Sequence, residues 1–398
     1  MENFARTKTA MICINACHTL LSAFFSIFFS VYILQNINDD IVFVLIVNLA
    51  ATGVAFLFHF VFYYLLNQKT IMLIYRLSFL MYLLIMVLVV TLPTGLYLPF
   101  LILALQRCTA YFYYTPHEIA IMDKNKARET SGFLAKSAVI AGLAAIVAPF
   151  LVGVIISEVN FFAMFVTLGV LCALAFVFSL MIPRITIAES PQKFSPMVFV
   201  KKSLKYKHMR SFYLQHFFTK TSTEGAVSLL LPILIFFHAG ESEFSLGLYS
   251  SLVALFALGA LIVYSKLKKW QLIIILVTSI LWLVSALSMT LWLTLASVLV
   301  FSALGSVSNK VFGNARGTIL NNSIKIEELA PYKREFHFAY NVLKRVSVAM
   351  TMGISLLLCM YFEPLTVIPI IIAVLTGTYS LSLLFYFRAK KQLSELEL

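Results

Sequence analysis

Charge is scarce in this chain of 398 residues: Asp, Glu, Lys and Arg together make up 12%, and only 17 residues are acidic. With 61% hydrophobic residues and a mean hydropathy of +0.94, a water-soluble globule is excluded. Cysteines number five, and Cys13, Cys17, Cys108, Cys172 and Cys359 all fall within apolar runs. They form neither a disulfide framework nor a zinc pattern. Cys13 and Cys17, which share a helix face beside His18, read as small packing residues. No Gly-rich phosphate loop leads into a Lys-Ser or Lys-Thr pair, so direct ATP use has no support. No His-Glu-x-x-His or clustered-carboxylate metal site is present. No polar segment is long enough for a catalytic domain, so neither an enzyme nor a cofactor is expected. A cleavable signal peptide is not expected either, because the first apolar run is too long and lacks a clear small-residue cleavage site.

What the chain has in abundance is long apolar runs. Spans are expected at about 9–34, 41–66, 71–91, 96–121, 131–156, 161–183, 209–237, 244–264, 270–288, 291–318, 337–361 and 364–387. Each reaches about twenty residues, enough at about 1.5 Å per residue to cross roughly 30 Å of hydrocarbon. The fold class is therefore all-α and polytopic, with about twelve membrane helices. Basic residues are missing from every second connection: Asn36–Asp40, Leu92–Gly95, Ser157–Asn160, His238–Glu243, Ser288–Thr290 and Glu363. The alternate set holds Arg6, Lys8, Lys69, Lys126, Arg128, Lys201, Lys205, Lys268, Arg334 and Lys390 among others. Short basic loops stay cytoplasmic, so both termini are expected inside, in a cell (inner) membrane. The formal charge of +13 is then an orienting and lipid-contacting charge rather than a nucleic-acid footprint.

The longest polar stretch, Arg184 to Arg210, falls at the middle of the chain with six spans on either side. The expected organisation is an N-terminal bundle over 1–183, a cytoplasmic linker over 184–208, and a C-terminal bundle with a tail over 209–398. Phe194–Tyr206 mixes Phe, Met and Val with lysines. It reads either as a segment lying along the inner membrane surface or as a solvated linker. The loop before the fifth span carries Lys126-Ala127-Arg128-Glu129 and leads to Lys136. The loop before the eleventh carries Lys333-Arg334-Glu335 and leads to Lys344-Arg345. The two Arg-Glu pairs are 206 residues apart, close to half the chain, which points to a six-plus-six internal duplication.

Twelve spans, inside termini, a long central inner loop and this repeat resemble the major facilitator superfamily over essentially the whole chain. The fifth span adds Gly142-Leu-Ala-Ala-Ile-Val-Ala148-Pro149-Phe-Leu-Val-Gly153, similar to the Gly-Pro-rich signature of its exporting, antiport-type branches. Packing glycines alone explain the same run. The loop between the second and third spans, Asn67-Gln68-Lys69-Thr70, lacks the glycine and aspartate usual there, and Lys266-Leu267-Lys268-Lys269 lacks the aspartate too. The usual gating ion pair is therefore not expected. The resemblance implies two six-helix bundles and a monomeric secondary transporter, with export or antiport favoured. The expected substrate is a small molecule or a lipid, anionic in character because Arg107 and Lys220 stand at mid-span against Glu224 alone, or amphipathic, and protons are the candidate coupling ion. A lipid or glycolipid translocator and a transport-inactive membrane scaffold or sensor are the alternatives.

The resemblance also implies that the first, fourth, seventh and tenth spans line a central cavity, and the polar residues concentrate on the same spans. Candidate substrate ligands are Asn15 and His18 in the first, Gln106, Arg107 and Tyr111 in the fourth, His216 and Lys220 in the seventh, and Asn309 and Lys310 in the tenth. Glu224, the only carboxylate deep in a cavity span, is the candidate proton-coupling group. Arg107 and Lys220 lie about eleven residues from a helix end, roughly 16 Å deep, where a charge needs a partner, water or a ligand. They are either ligands or members of structural ion pairs, Lys220 with Glu224 in one helix or Arg107 with Glu224 across the halves. His18 and His216 read equally as hydrogen-bonded packing residues. His117, Glu118 and Lys136 are expected to pair near the cytoplasmic face.

Overall fold

The computed structural model describes residues 2–36, 40–67, 69–93, 95–123, 127–182, 194–324, 329 and 332–395, with residues 2–8, 36, 118–138, 268, 317–324 and 333 described by backbone alone. The Lys126–Glu129 repeat motif, Glu118 and Lys136 thus fall on residues or side chains outside the description, as does the linker over 183–193.

All described regular structure is helical. The first span comprises α1 (Glu2–Ala23), a π-helical turn (Phe24–Phe28) and α2 (Phe29–Asn36). There follow α3 (Ile41–Leu65), α4 (Ile71–Thr91), α5 (Tyr97–Asp123), α6 (Ala127–Glu158) and α7 (Phe161–Leu180). The second half holds α8 (Pro196–Ser203), α9 (Lys207–Thr223), α10 (Ala226–His238), α11 (Glu243–Lys266), α12 (Gln271–Leu291), α13 (Leu295–Ile324), α14 (Lys333–Tyr361) and α15 (Pro364–Ser394). Among the described residues, eleven stretches are long and apolar enough to cross a membrane. Together with the 27-residue α5, they occupy the twelve expected positions. Long helices suit this sequence because hydrocarbon offers backbone groups no partner outside their own segment.

Polar residues between the runs set several helix ends. Asp40 Oδ1 accepts from Val42 N–H at 2.9 Å and starts α3, and Asn160 Oδ1 accepts from Ala163 N–H at 2.8 Å and starts α7. Thr294 and Ser297 bond each other's backbone N–H at 3.2 and 3.0 Å, a reciprocal cap that starts α13. That cap moves the ninth connection from the expected Ser288–Thr290 to 292–294, because α12 continues to Leu291. The connection still carries no basic residue.

The chain divides into two compact units, and the division is not linear. Unit 1 comprises Met1–Glu189 with Ala239–Leu252, and unit 2 comprises Ser190–His238 with Val253–Leu398. The expected boundaries at 183 and 209 differ from this in two places. Instead of belonging to a free linker, α8 packs on α14, and the first turns of α11 group with unit 1. Glycines permit the second arrangement. A Cβ at Gly153 of α6 would lie 2.7 Å from the Glu243 carbonyl oxygen and 3.2 Å from Gly247 Cα. A Cβ at Gly247 would collide with the Pro149 carbonyl. The Gly-Pro run of the fifth span therefore serves close helix packing within unit 1.

Candidate functional site

The seventh span is not one helix. α9 ends at Glu224, which is extended (φ −120°, ψ −174°), and Gly225 follows at φ +66° before α10 begins. A side chain at Gly225 would meet Thr351 Oγ1 and lie 3.2 Å from Val348 Cα, so only glycine fits both the left-handed backbone and the space. Thr351 Oγ1 accepts from Ala226 N–H at 3.4 Å and takes up one of the donors exposed at the start of α10. The break puts Lys220 in the last turn of α9 and Glu224 just ahead of α10. Each charge then sits at the helix end whose dipole favours it.

Glu224 is held from two helices. Lys220 Nζ bonds its Oε1, and Lys344 Nζ of α14 reaches its Oε2 at 2.9 Å. Beside this cluster lies a cavity of about 240 Å³ within unit 2. Thr219, Lys220, Thr223 and Glu224 form one wall, and Asn309, Phe312, Gly313 and Arg316 of α13 form the other. Arg316 Nη1 is buried and has no hydrogen-bond partner among the described residues. Three cations, Lys220, Lys344 and Arg316, thus stand against one carboxylate. In a low-dielectric setting that surplus attracts an anion.

Other polar residues of the seventh span hold helices together. Thr219 Oγ1 lies 2.5 Å from Ser382 Oγ and Thr221 Oγ1 lies 2.9 Å from Ser347 Oγ, tying α9 to α15 and α14. His216 is fully buried, its ring stacked on Tyr340 at 3.6 Å between centroids and its Nε2–H donated to the Tyr340 carbonyl at 3.2 Å. Asn309 faces the cavity, whereas Lys310, the next residue, is exposed and outside its lining.

The unit 1 candidates form a different environment. His18 is buried, stacked on Tyr113 at 3.6 Å between centroids and met edge-on by Tyr82 and Tyr114. Tyr113 Oη donates to Asn15 Oδ1 at 3.5 Å. Arg107 Nη2 donates to Asn48 Oδ1 at 2.7 Å, and Asn48 is itself buried on α3. Gln106 is half-buried one position earlier. Tyr111 turns instead into the core against Phe58, His59 and Phe62. His117 is buried too, its Nδ1 3.0 Å from Tyr75 Oη.

Of the expected residues, the structure gathers Lys220, Glu224 and Asn309 at one cavity. It adds Arg316 and Lys344, which were not among the candidates. Arg316 follows Asn309 by two helical turns on the same face of α13, a spacing visible in the sequence. Lys344 stood out only as a marker of the repeat.

No protein-family profile and no curated protein matches this sequence. Solved structures do match across nearly its whole length. A variant of the nucleoside transporter NupG aligns at a TM-score of 0.71 with 12% identity, over 97% of this chain and 99% of that one. A bacterial homologue of the human lysosomal transporter Spinster, inward-facing and unoccupied, aligns at 0.66 with 9% identity, over 99% and 97%. A bacterial metal transporter aligns at 0.61 with 13% identity, over 98% and 99%. The chain shares the fold of these transporters over nearly its whole length. The chain is a multi-pass membrane protein built on that fold.

Proposed function

We propose that the chain is a secondary active transporter that works by alternating access and moves a small organic solute of anionic or amphipathic character. The observation that carries this reading is the half-buried cluster Lys220–Glu224–Lys344 with Arg316, set beside a cavity at a break in the seventh span. An intramembrane charge cluster is costly and is expected where ions or substrates pass. A binding wall built at an interrupted helix is a recurring transporter device. The alternation of basic and base-free loops supports an inner membrane location with both termini cytoplasmic. The working unit is the monomer, and protons are the coupling ion, bound together with the solute rather than in exchange for it.

Glu224 carries the proton in this reading. An anion arriving at Arg316 competes with Glu224 for Lys220 and Lys344. The carboxylate it displaces loses its counter-charges and takes up a proton; when the anion leaves, the lysines reclaim the carboxylate and the proton is released. That exchange links one solute to one proton through contacts already present in unit 2.

The test is a thermal-shift screen of the purified protein against small anions, cations, neutral metabolites and phospholipids, since a ligand stabilises the state it binds. Small anions are expected to raise the unfolding temperature, and Arg316→Gln is expected to abolish that rise. Stabilisation confined to cations or neutral solutes would overturn the anionic reading.

A further inference from the structure

The helix α8 presents two faces of opposite kind. Its inner face is anchored to the rest of unit 2: Phe199 and Ser203 are buried, and Ser203 Oγ lies 3.0 Å from Tyr213 Oη. Lys202 Nζ donates to Tyr332 Oη at 3.0 Å, and Glu335 Oε1 accepts from Ser195 N–H at 3.3 Å, just ahead of the first turn. The outer face carries Met197 at 80% exposure and Val198 at 46%, followed by Leu204 at 41%. Lys201 and Lys205 stand exposed among them, and Lys207 and Arg210 continue the basic surface into α9. Arg210 Nε donates to the Leu204 carbonyl at 2.5 Å and ties the end of this segment to the start of the span.

Two features decide what covers this face. First, no acidic residue occurs between Ser190 and Thr223, and Glu335, the carboxylate bonded to this segment among the described residues, is 1% exposed and turned toward Ser195. The four cations therefore have no built-in counter-charge on their own segment. Second, α8 ends at Ser203, four residues before the membrane helix α9 begins at Lys207, so it is held beside the bilayer. Exposed methionine, valine and leucine flanked by lysines match a surface that is apolar just below a negatively charged layer.

We propose that the outer face of α8 docks on anionic phospholipid headgroups. Met197, Val198 and Leu204 enter the acyl boundary, and Lys201, Lys205, Lys207 and Arg210 meet the phosphates. Because α8 is bonded through Ser195 to Glu335 on α14, the helix that also carries Lys344, lipid composition reaches the element that supports Glu224. The surface does not depend on what the protein transports, and its test needs no substrate.

The full-length protein is placed in nanodiscs of phosphatidylcholine alone or with phosphatidylglycerol, and hydrogen exchange is followed over residues 194–207. Exchange is expected to slow severalfold in the anionic discs, and a combined Lys201→Gln, Lys205→Gln and Lys207→Gln variant is expected to lose that difference. In parallel, Met197→Cys is labelled with a fluorophore, with the unsubstituted protein as background. Nitroxide-bearing lipid is expected to quench it in anionic discs, while aqueous iodide does not. Equal exchange in the two lipids would overturn the proposal. So would a label at position 197 open to iodide in anionic discs, the result expected of a face that serves a soluble protein. If the triple variant fails to fold, the two-lipid comparison on the unaltered protein decides.

Discussion

Lys344 of α14 sets its ammonium 2.9 Å from Glu224 Oε2, so the carboxylate at the break of the seventh span is shared between two lysines from different helices. Lys220 alone would make a local one-turn pair of the kind worth a few tenths of a kcal/mol in an exposed helix. The second lysine joins α9 to α14 and makes the cluster a tertiary link. Removing the carboxylate leaves two ammonium groups facing each other. Glu224→Gln is therefore expected to destabilise by about 1–2 kcal/mol, below the figure for a fully buried pair because these side chains are partly exposed. Glu224→Gln with Lys344→Gln is expected to cost less than the sum of the two single changes. Thermal unfolding of the four proteins measures the coupling.

Gly225 fixes where the span breaks. Gly225→Ala is expected to cost at least about 1–2 kcal/mol, because it adds a left-handed backbone penalty to a collision with Thr351 Oγ1. Adding Thr351→Ala is expected to restore part of the loss and no more, since the backbone strain remains and Val348 stays close. Unfolding temperatures of the single and double variants show whether the rescue is partial.

Gly153 and Gly247 share one close approach between α6 and α11. Each Gly→Ala change is expected to cost about 1–3 kcal/mol by overpacking. The double change is expected to cost little more than the worse single, because the first already separates the helices. Strict additivity in thermal unfolding would show that the two glycines act independently.

Much of this architecture was legible in the sequence, because apolar run length has one meaning in a membrane. The third span is expected over 71–91 and is Ile71–Thr91, and the second is expected over 41–66 and is Ile41–Leu65. The break at Gly225 was not legible. His216, Lys220 and Glu224 step by four, as an unbroken helix would, and one glycine in such a run carries no sign of its φ. The π-helical turn at Phe24–Phe28 was hidden too, since one widened turn leaves no mark on a predominantly apolar run. Pairing across helices was legible only in part. The Lys220–Glu224 pair follows from spacing, but Lys344 reaches Glu224 from 120 residues away in the chain, and only packing brings them together. Tyr111 shows the converse, as its spacing allowed a cavity position and its packing gave it to the core.

The orientation has its own test. Cysteine placed at Glu158, Glu241 or Glu363 is expected to react with an impermeant reagent added outside intact cells. Cysteine placed at Lys126, Lys205 or Lys268 is expected to stay unlabelled until the membrane is opened. Labelling of Lys205→Cys from outside would reverse the topology and with it the leaflet that α8 faces.

The coupling role of Glu224 is tested most directly in proteoliposomes, with a solute found by thermal stabilisation and a pH gradient imposed across the membrane. The unaltered protein is expected to accumulate the solute against its concentration gradient. Glu224→Gln is expected to retain solute exchange at equal pH, because Arg316 and the two lysines still bind the anion, and to lose accumulation driven by the gradient. Gradient-driven accumulation that persists in Glu224→Gln would contradict the account and leave the Lys220–Glu224–Lys344 cluster a purely structural link.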